Sequence, residues 1–315
     1  MIPADNLFML LGFGFAAYSV VANDSVQTLG TFIASSSRKY KWYTLWAATS
    51  FVLIITLVAG WYFNGGDISY GRLDLIPLEE TFKWYHALAP LALVFLTRFG
   101  IPVSTTFLVL SVFAPVAVLE DMLIKSFLGY GVAMVVAFVS WKILSTFFDE
   151  HSPVSKANEK SWVIIQWTTT AILWSTWLSH DLANIAVFLP RQLSVYWMML
   201  CIIVLVIGLG HMFYNKGGKI QNIVLEKTST RYVRSATIID FFYASILLVF
   251  REISNVPMST TWVFVGLLAG REFAIRHQNE EHNLKTVFPI VAKDFSKMMI
   301  GLAASIAIVL LATQN

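Results

Sequence analysis

Long apolar runs, interrupted at a few points by polar motifs, make up most of this chain. Apolar segments lie at 7–21 and 32–34, on either side of an Asn-Asp motif, and then at 42–63. Segments 84–96 and 103–119 flank a Pro-x-Ser-Thr-Thr motif, and 124–148 closes the first half. In the second half, 162–178 and 182–189 flank a His-Asp motif, and 195–214 follows. Segments 236–250 and 258–269 then surround a second Pro-x-Ser-Thr-Thr, and 298–312 comes last. About 20 apolar residues suffice to cross a bilayer as a helix, so the pattern predicts an all-α polytopic membrane protein.

Both polar motifs are written twice and in the same order. Gly100-Ile101-Pro102-Val103-Ser104-Thr105-Thr106 returns as Asn255-Val256-Pro257-Met258-Ser259-Thr260-Thr261, 155 residues later. Ala22-Asn23-Asp24-Ser25-Val26-Gln27 returns as Ser179-His180-Asp181-Leu182-Ala183-Asn184, 157 residues later. The chain therefore reads as a duplication: 1–148, a connection at 149–160 containing Ser152-Pro153, and 161–315. Each half holds a broken span, a full span, a polar loop, a pair of short segments meeting at the Pro, and a final span.

Each pair of short segments is read as a re-entrant hairpin with its tip at the Pro. Three crossings per half then force the halves to face opposite ways, as two inverted-topology repeats. Charge agrees with this topology. With both termini outside, the cytoplasmic loops 38–41, 149–160, 215–235 and 271–297 hold 15 Lys and Arg, against 4 outside (Arg72, Lys83, Lys125 and Arg191). Excess cations on the cytoplasmic side are the expected bias.

Composition adds a few limits. The 57% hydrophobic and 13% charged residues, with a mean hydropathy of +0.67, exclude an ordinary soluble domain. The lone Cys201 rules out an intrachain disulfide and suggests no thiolate metal site. His277 and His282 lack metal-site spacing, and no transition-metal site is expected. No nucleophile–base pair or HExxH appears, so an enzyme is not expected, nor is a nucleic-acid partner. The N-terminus has no basic n-region, so the first apolar segment is expected to remain. The expected location is the bilayer of a bacterial cytoplasmic (inner) membrane.

The motifs suggest their own chemistry. Pro, then hydroxyls, then an apolar run is the composition of a helix N-terminus. Two such ends aimed at one point offer N–H groups, positive dipole ends and the hydroxyls of Ser104, Thr105, Thr106, Ser259, Thr260 and Thr261 to an anion. A carboxylate deep in a membrane costs about 2.5–3.5 kcal/mol even on lenient scales, so Asp24 and Asp181 call for a partner. Asn23 and Gln27 beside Asp24, and His180 and Asn184 beside Asp181, suit a hard cation such as Na+. Donors for an anion next to carboxylates for a cation make a site for a small oxyanion and a co-transported ion. Arg98, Arg251 and Glu252 near the tips are read as structural, with a local Arg251–Glu252 pair or anion steering by Arg98 as the options weighed.

At this level of detail the chain resembles the inorganic phosphate transporter (PiT) family, through Ala22-Asn23-Asp24, Leu29-Gly30-Thr31, 101–106, His180 to Asn184 and 256–261. The resemblance implies an inverted-repeat symporter, commonly a homodimer, with phosphate at the hairpin tips and Na+ beside the Asn-Asp segments. Carried over, Asn23, Asp24, Asp181 and Asn184 would serve the cations and contact the anion. The chain departs from the family pattern at Val21, Gln27, Leu178 and His180. It also has Phe107 and Trp262 where the family has His after Ser-Thr-Thr.

These readings predict a secondary active transporter, not an enzyme, that moves inorganic phosphate with Na+ by alternating access. Phosphate near neutral pH still carries a proton to donate to a carboxylate, whereas sulfate only accepts, so two retained Asp residues favour phosphate. The alternatives are a sulfate permease of the same family coupled to protons or Na+, for which His180 is a candidate titrating group, and an anion channel.

Overall fold

The computed structural model describes residues 4–99, 103–144, 156–218, 221, 233–278 and 284–314. Among these residues there is no strand. Six helices are long and apolar enough to cross a membrane, and the fold is that of an all-α integral membrane protein. Within a bilayer each helix satisfies its own backbone groups, which is why apolar runs of this length take that form.

The first span runs from α1 (Ala4–Ser19) through a five-residue π-helical turn (Val20–Asp24) into α2 (Ser25–Ser36). The expected break at Asn-Asp is thus a local widening, not an interruption. A π turn places an extra residue in the ladder and re-aims the side chains around it. Here it leaves Asn23, Asp24 and Gln27 all buried. The second copy does break: α7 (Lys156–Asp181) ends at the aspartate, and Leu182 leads into the single-turn α8 (Ala183–Ala186). Residues 156–160 of the expected connection belong to α7, and 149–155 lie outside the described residues.

Full spans α3 (Trp42–Phe63) and α9 (Val195–Tyr214) pack against each other. In the first hairpin, α4 (Trp84–Arg98) descends to the tip and the six-residue α5 (Thr105–Leu110) returns. Gly100, Ile101 and Pro102 lie outside the described residues. The boundary with the next helix falls earlier than expected. Segment 103–119 ends as a helix at Leu110, and α6 (Val116–Leu144) begins just after Pro115, whose carbonyl accepts from Leu119 N–H. Proline cannot continue α5 but is well suited to open α6.

The second hairpin is longer than the expected short pair. Its arms α10 (Val233–Ile253) and α11 (Thr260–Gln278) have 21 and 19 residues, and α10 is itself one of the six candidate spans. The final helix, α12 (Leu284–Thr313), absorbs most of the charged stretch 271–297 read as a loop. Charge at a helix end needs only access to the interface, so a charged segment is not evidence of a loop.

Helix α11 lies tightly along α6. A Cβ at Gly266 or Gly270 would overlap the carbonyl oxygens of Tyr130 and Met134, so the contact requires this small-xxx-small pair. Helix α10 packs on α7, and α1 on α4. These pairings bury the π turn, the α7–α8 break and both Ser-Thr-Thr runs.

Candidate functional site

The Asn-Asp segment meets the first tip directly. Asn23 Nδ2 donates to Asp24 Oδ1 at 2.7 Å and to the Val103 carbonyl at 3.0 Å. Gln27 Nε2 donates to Asn23 Oδ1 at 3.0 Å, and the Thr105 hydroxyl lies beside the Asp24 carboxylate. Asn23 therefore fixes where α5 starts relative to the π turn. That contact spans 80 residues of sequence.

Asp181 is reached from both tips. Thr106 Oγ1 donates to Asp181 Oδ1 at 3.3 Å, and Asn184 Nδ2 donates to Asp181 Oδ1 at 3.1 Å and to Thr106 Oγ1 at 3.3 Å. From the second tip, the Thr260 hydroxyl faces Asp181. Thr260 is itself held on two sides. Its hydroxyl accepts from Trp177 Nε1 at 3.1 Å and its carbonyl from the Tyr243 hydroxyl at 3.0 Å.

Among the described residues, several buried oxygens here have no hydrogen-bond partner: Asp24 Oδ2, Asp181 Oδ2, Gln27 Oε1, Asn184 Oδ1 and Thr105 Oγ1. Asp24 and Asp181 are within electrostatic reach of one another and repel. Unpartnered polar atoms are rare in folded interiors, and buried like charges rarer still. Two carboxylate oxygens, two amide oxygens and a hydroxyl are donors of the type a hard monovalent cation takes.

Both tips use serine as the cap. Ser104 Oγ accepts from Phe107 N–H and Ser259 Oγ from Trp262 N–H, each at 3.2 Å. Side-chain oxygens thus occupy N–H groups that the sequence reading offered to an anion. Ser126 Oγ also accepts the Ser259 N–H at 2.9 Å. With α5 only six residues long, tip 1 offers an anion mainly its hydroxyls. Thr261 is buried in the first turn of α11. The residues that follow the two Ser-Thr-Thr runs, Phe107 and Trp262, pack ring against ring with centroids 5.1 Å apart.

Some expected residues stand apart from this cluster. His180 turns to α10, where Nε2 pairs with the Leu247 carbonyl at 2.9 Å, so it is not grouped with these oxygens. Arg251 lies over the Tyr70 ring at 5.1 Å, and among the described residues it forms no ion pair with Glu252. The sequence motifs do not single out four buried charges, Asp240, Arg72, Lys125 and Arg271. Asp240, on α10, accepts from Thr31 Oγ1 at 2.6 Å and from Thr170 Oγ1. Arg72 and Lys125, both expected in outer loops, are buried against the strand of chain entering tip 2. Lys125 Nζ donates to the carbonyls of Ser254 at 2.7 Å and Val256 at 2.8 Å, and Arg72 Nη1 donates to Ser254. Asp240 sits in an otherwise apolar run, which is a usable signal for a buried functional group. Arg72 gave none, because its neighbours in sequence are those of a polar loop.

No protein-family model matches the chain, and no curated protein matches it by sequence. Among solved structures it is similar to one described as "The sodium-dependent phosphate transporter", at 17% identity and a TM-score of 0.67. The match covers 99% of this chain and 100% of that one, so the fold of this protein, end to end, is the fold of that transporter.

Proposed function

We propose that this protein is a secondary active symporter that carries inorganic phosphate with Na+ by alternating access. One observation carries the reading. Unpartnered oxygens of Asp24, Asp181, Gln27 and Asn184 lie beside the Thr105, Thr106 and Thr260 hydroxyls of two converging tips. Cations among these oxygens relieve the repulsion between the carboxylates, and their charge draws an oxyanion onto the hydroxyls. The anion and the cation each make the site fit for the other, which is the thermodynamic basis of coupling. Carboxylates beside the anion favour one that still bears a proton, and this selects phosphate over sulfate. The similar solved structure supports the reading at the level of fold, and its printed description names both phosphate and sodium.

In this proposal residues 1–148 and 161–315 act as inverted repeats, with the hairpins as gates, the termini outside and two copies of the chain associating as a dimer. Asn23, Asp24, Gln27, Asp181 and Asn184 hold Na+, while Thr105, Thr106 and Thr260, with Ser104, Ser259 and Thr261 around them, hold the anion. His180 pairs with a backbone carbonyl away from the carboxylates, which favours Na+ over proton coupling. The test is uptake of labelled phosphate into proteoliposomes. Uphill accumulation driven by an inward Na+ gradient is expected, with sulfate a weak competitor. Sulfate uptake under a proton gradient without Na+ dependence would replace this reading with the permease. Flux that no cation gradient drives uphill would replace it with a channel.

A further inference from the structure

Arg72 belongs to the loop between α3 and α4, yet it is only 1% exposed. Burying a guanidinium is costly unless its donors are satisfied. Nη1 donates to the Ser254 carbonyl, but Nε and Nη2 have no partner among the described residues. Holding the chain ahead of Pro257 does not require Arg72, because Lys125 already grips the Ser254 and Val256 carbonyls. The two free groups share one edge of the guanidinium plane. Their N–H bonds point the same way, at the spacing that takes two oxygens of a carboxylate, phosphate or sulfate.

The placement of Arg72 points the same way. It is within electrostatic reach of Asp181, which in turn faces Thr260 at tip 2. Burial, with Arg251 nearby, lowers its pKa only to about 10, so it is charged at neutral pH. Its neighbours Tyr70, Gly71 and Leu73, with Asn255, line an open cavity of about 700 Å³. Arg72 itself is buried beside residues of that wall.

We infer that Arg72 is an anion-binding residue whose Nε–Nη2 edge takes two oxygens of the transported oxyanion, on the Thr260 side of the centre. This rests on the reading of the protein as an oxyanion transporter and adds a fixed positive charge to a site otherwise made of hydroxyls. Oxygens held by Arg72 leave the protonated oxygen of phosphate to face a carboxylate, so one fork orients the anion as well as binding it.

The test compares the full-length wild type with Arg72→Lys and Arg72→Gln. Lysine can still donate to Ser254, as Lys125 does, but it has no fork. The expected result is a phosphate KM raised about tenfold or more in both variants, a loss of about 1.4 kcal/mol or more. The rise in unfolding temperature produced by phosphate in detergent is expected to disappear in both. The rise produced by Na+ alone is expected to persist, which shows that the variants are folded. A wild-type KM and a wild-type phosphate shift in Arg72→Lys would make Arg72 a tether only and overturn the inference. If Arg72→Lys does not fold, the same comparison in Arg72→Gln decides. If the wild type transports nothing, the transport reading falls, but the unfolding shifts still judge Arg72: lost in the variants they support it, and unchanged they overturn it.

Discussion

Phe107 and Trp262 occupy the same place in the two Ser-Thr-Thr motifs, and their rings touch at a centroid distance of 5.1 Å and a tilt of 45°. The two tips therefore meet through the side chains just beyond their hydroxyls. Trp262 is further held by Phe127 of α6, edge to face at 4.8 Å. In the proposed transporter, this aromatic contact lies beside the hydroxyls offered to the anion.

If the hairpins act as the proposed gates, opening either one has to break this contact. Trp262→Ala removes a fully buried ring and is expected to lower stability by about 3–5 kcal/mol. Phe107→His and Trp262→His keep a ring but add a donor next to the anion. The ratio of phosphate to sulfate transport is expected to change in these variants while the Na+ requirement stays, as measured by competition uptake at fixed pH.

Asp24→Asn and Asp181→Asn keep the size of each side chain and remove its charge. Na+ is expected to bind at least about tenfold more weakly in each, a loss of about 1.4 kcal/mol. Asp181→Asn is expected to cost phosphate affinity as well, because Thr106 and Thr260 both address that carboxylate. The readout is Na+-dependent thermal stabilisation alongside uptake. Wild-type Na+ dependence in both variants would remove the carboxylates from the ion site.

Thr105→Val and Thr260→Val should differ. Thr105 Oγ1 has no hydrogen-bond partner among the described residues, so its loss is expected to weaken phosphate binding with little change in stability. Thr260 also accepts from Trp177, so its loss leaves a buried indole N–H unpaired and is expected to cost about 1–3 kcal/mol of stability. Uptake constants and unfolding temperatures of the two variants side by side make the comparison.

Asp240 joins α2, α7 and α10 through Thr31 and Thr170. Asp240→Leu leaves both hydroxyls buried without their acceptor, at about 1–3 kcal/mol for each unpaired group. A drop in unfolding temperature larger than that of Asp240→Asn is the expected sign of a structural knot. Equal stability with lost transport would instead place Asp240 on the ion path.

Gly270→Val drives a side chain into the Met134 carbonyl on α6. Overpacking of this kind costs about 1–3 kcal/mol and more where backbone must move. The folded fraction after detergent extraction is expected to fall. Gly131→Val on the same helix, with open space around it, is expected to be neutral.

The sequence by itself determined the helical class, most of the spans and which polar residues the fold buries, while α10, read as a short hairpin arm, is long enough to span. Length of apolar run and repetition of a polar motif are local properties, and an unsolvated backbone in lipid leaves few alternatives to a helix. Asn23, Asp24, Gln27, Asp181, Asn184 and the threonines were legible for the same reason, being expensive polar groups where none should be. Tertiary structure alone decided how the Asn-Asp segment bends, which capping groups are already occupied, and which loop charges are buried. The partners that settle these points are far away in the chain: Thr31 and Asp240 are 209 residues apart, and Arg72 and Ser254 are 182 apart. His180 shows the same limit from the other side. Its place in the motif matched a ligand, but its ring direction depends on how α7 rotates against α10, and packing sets that rotation.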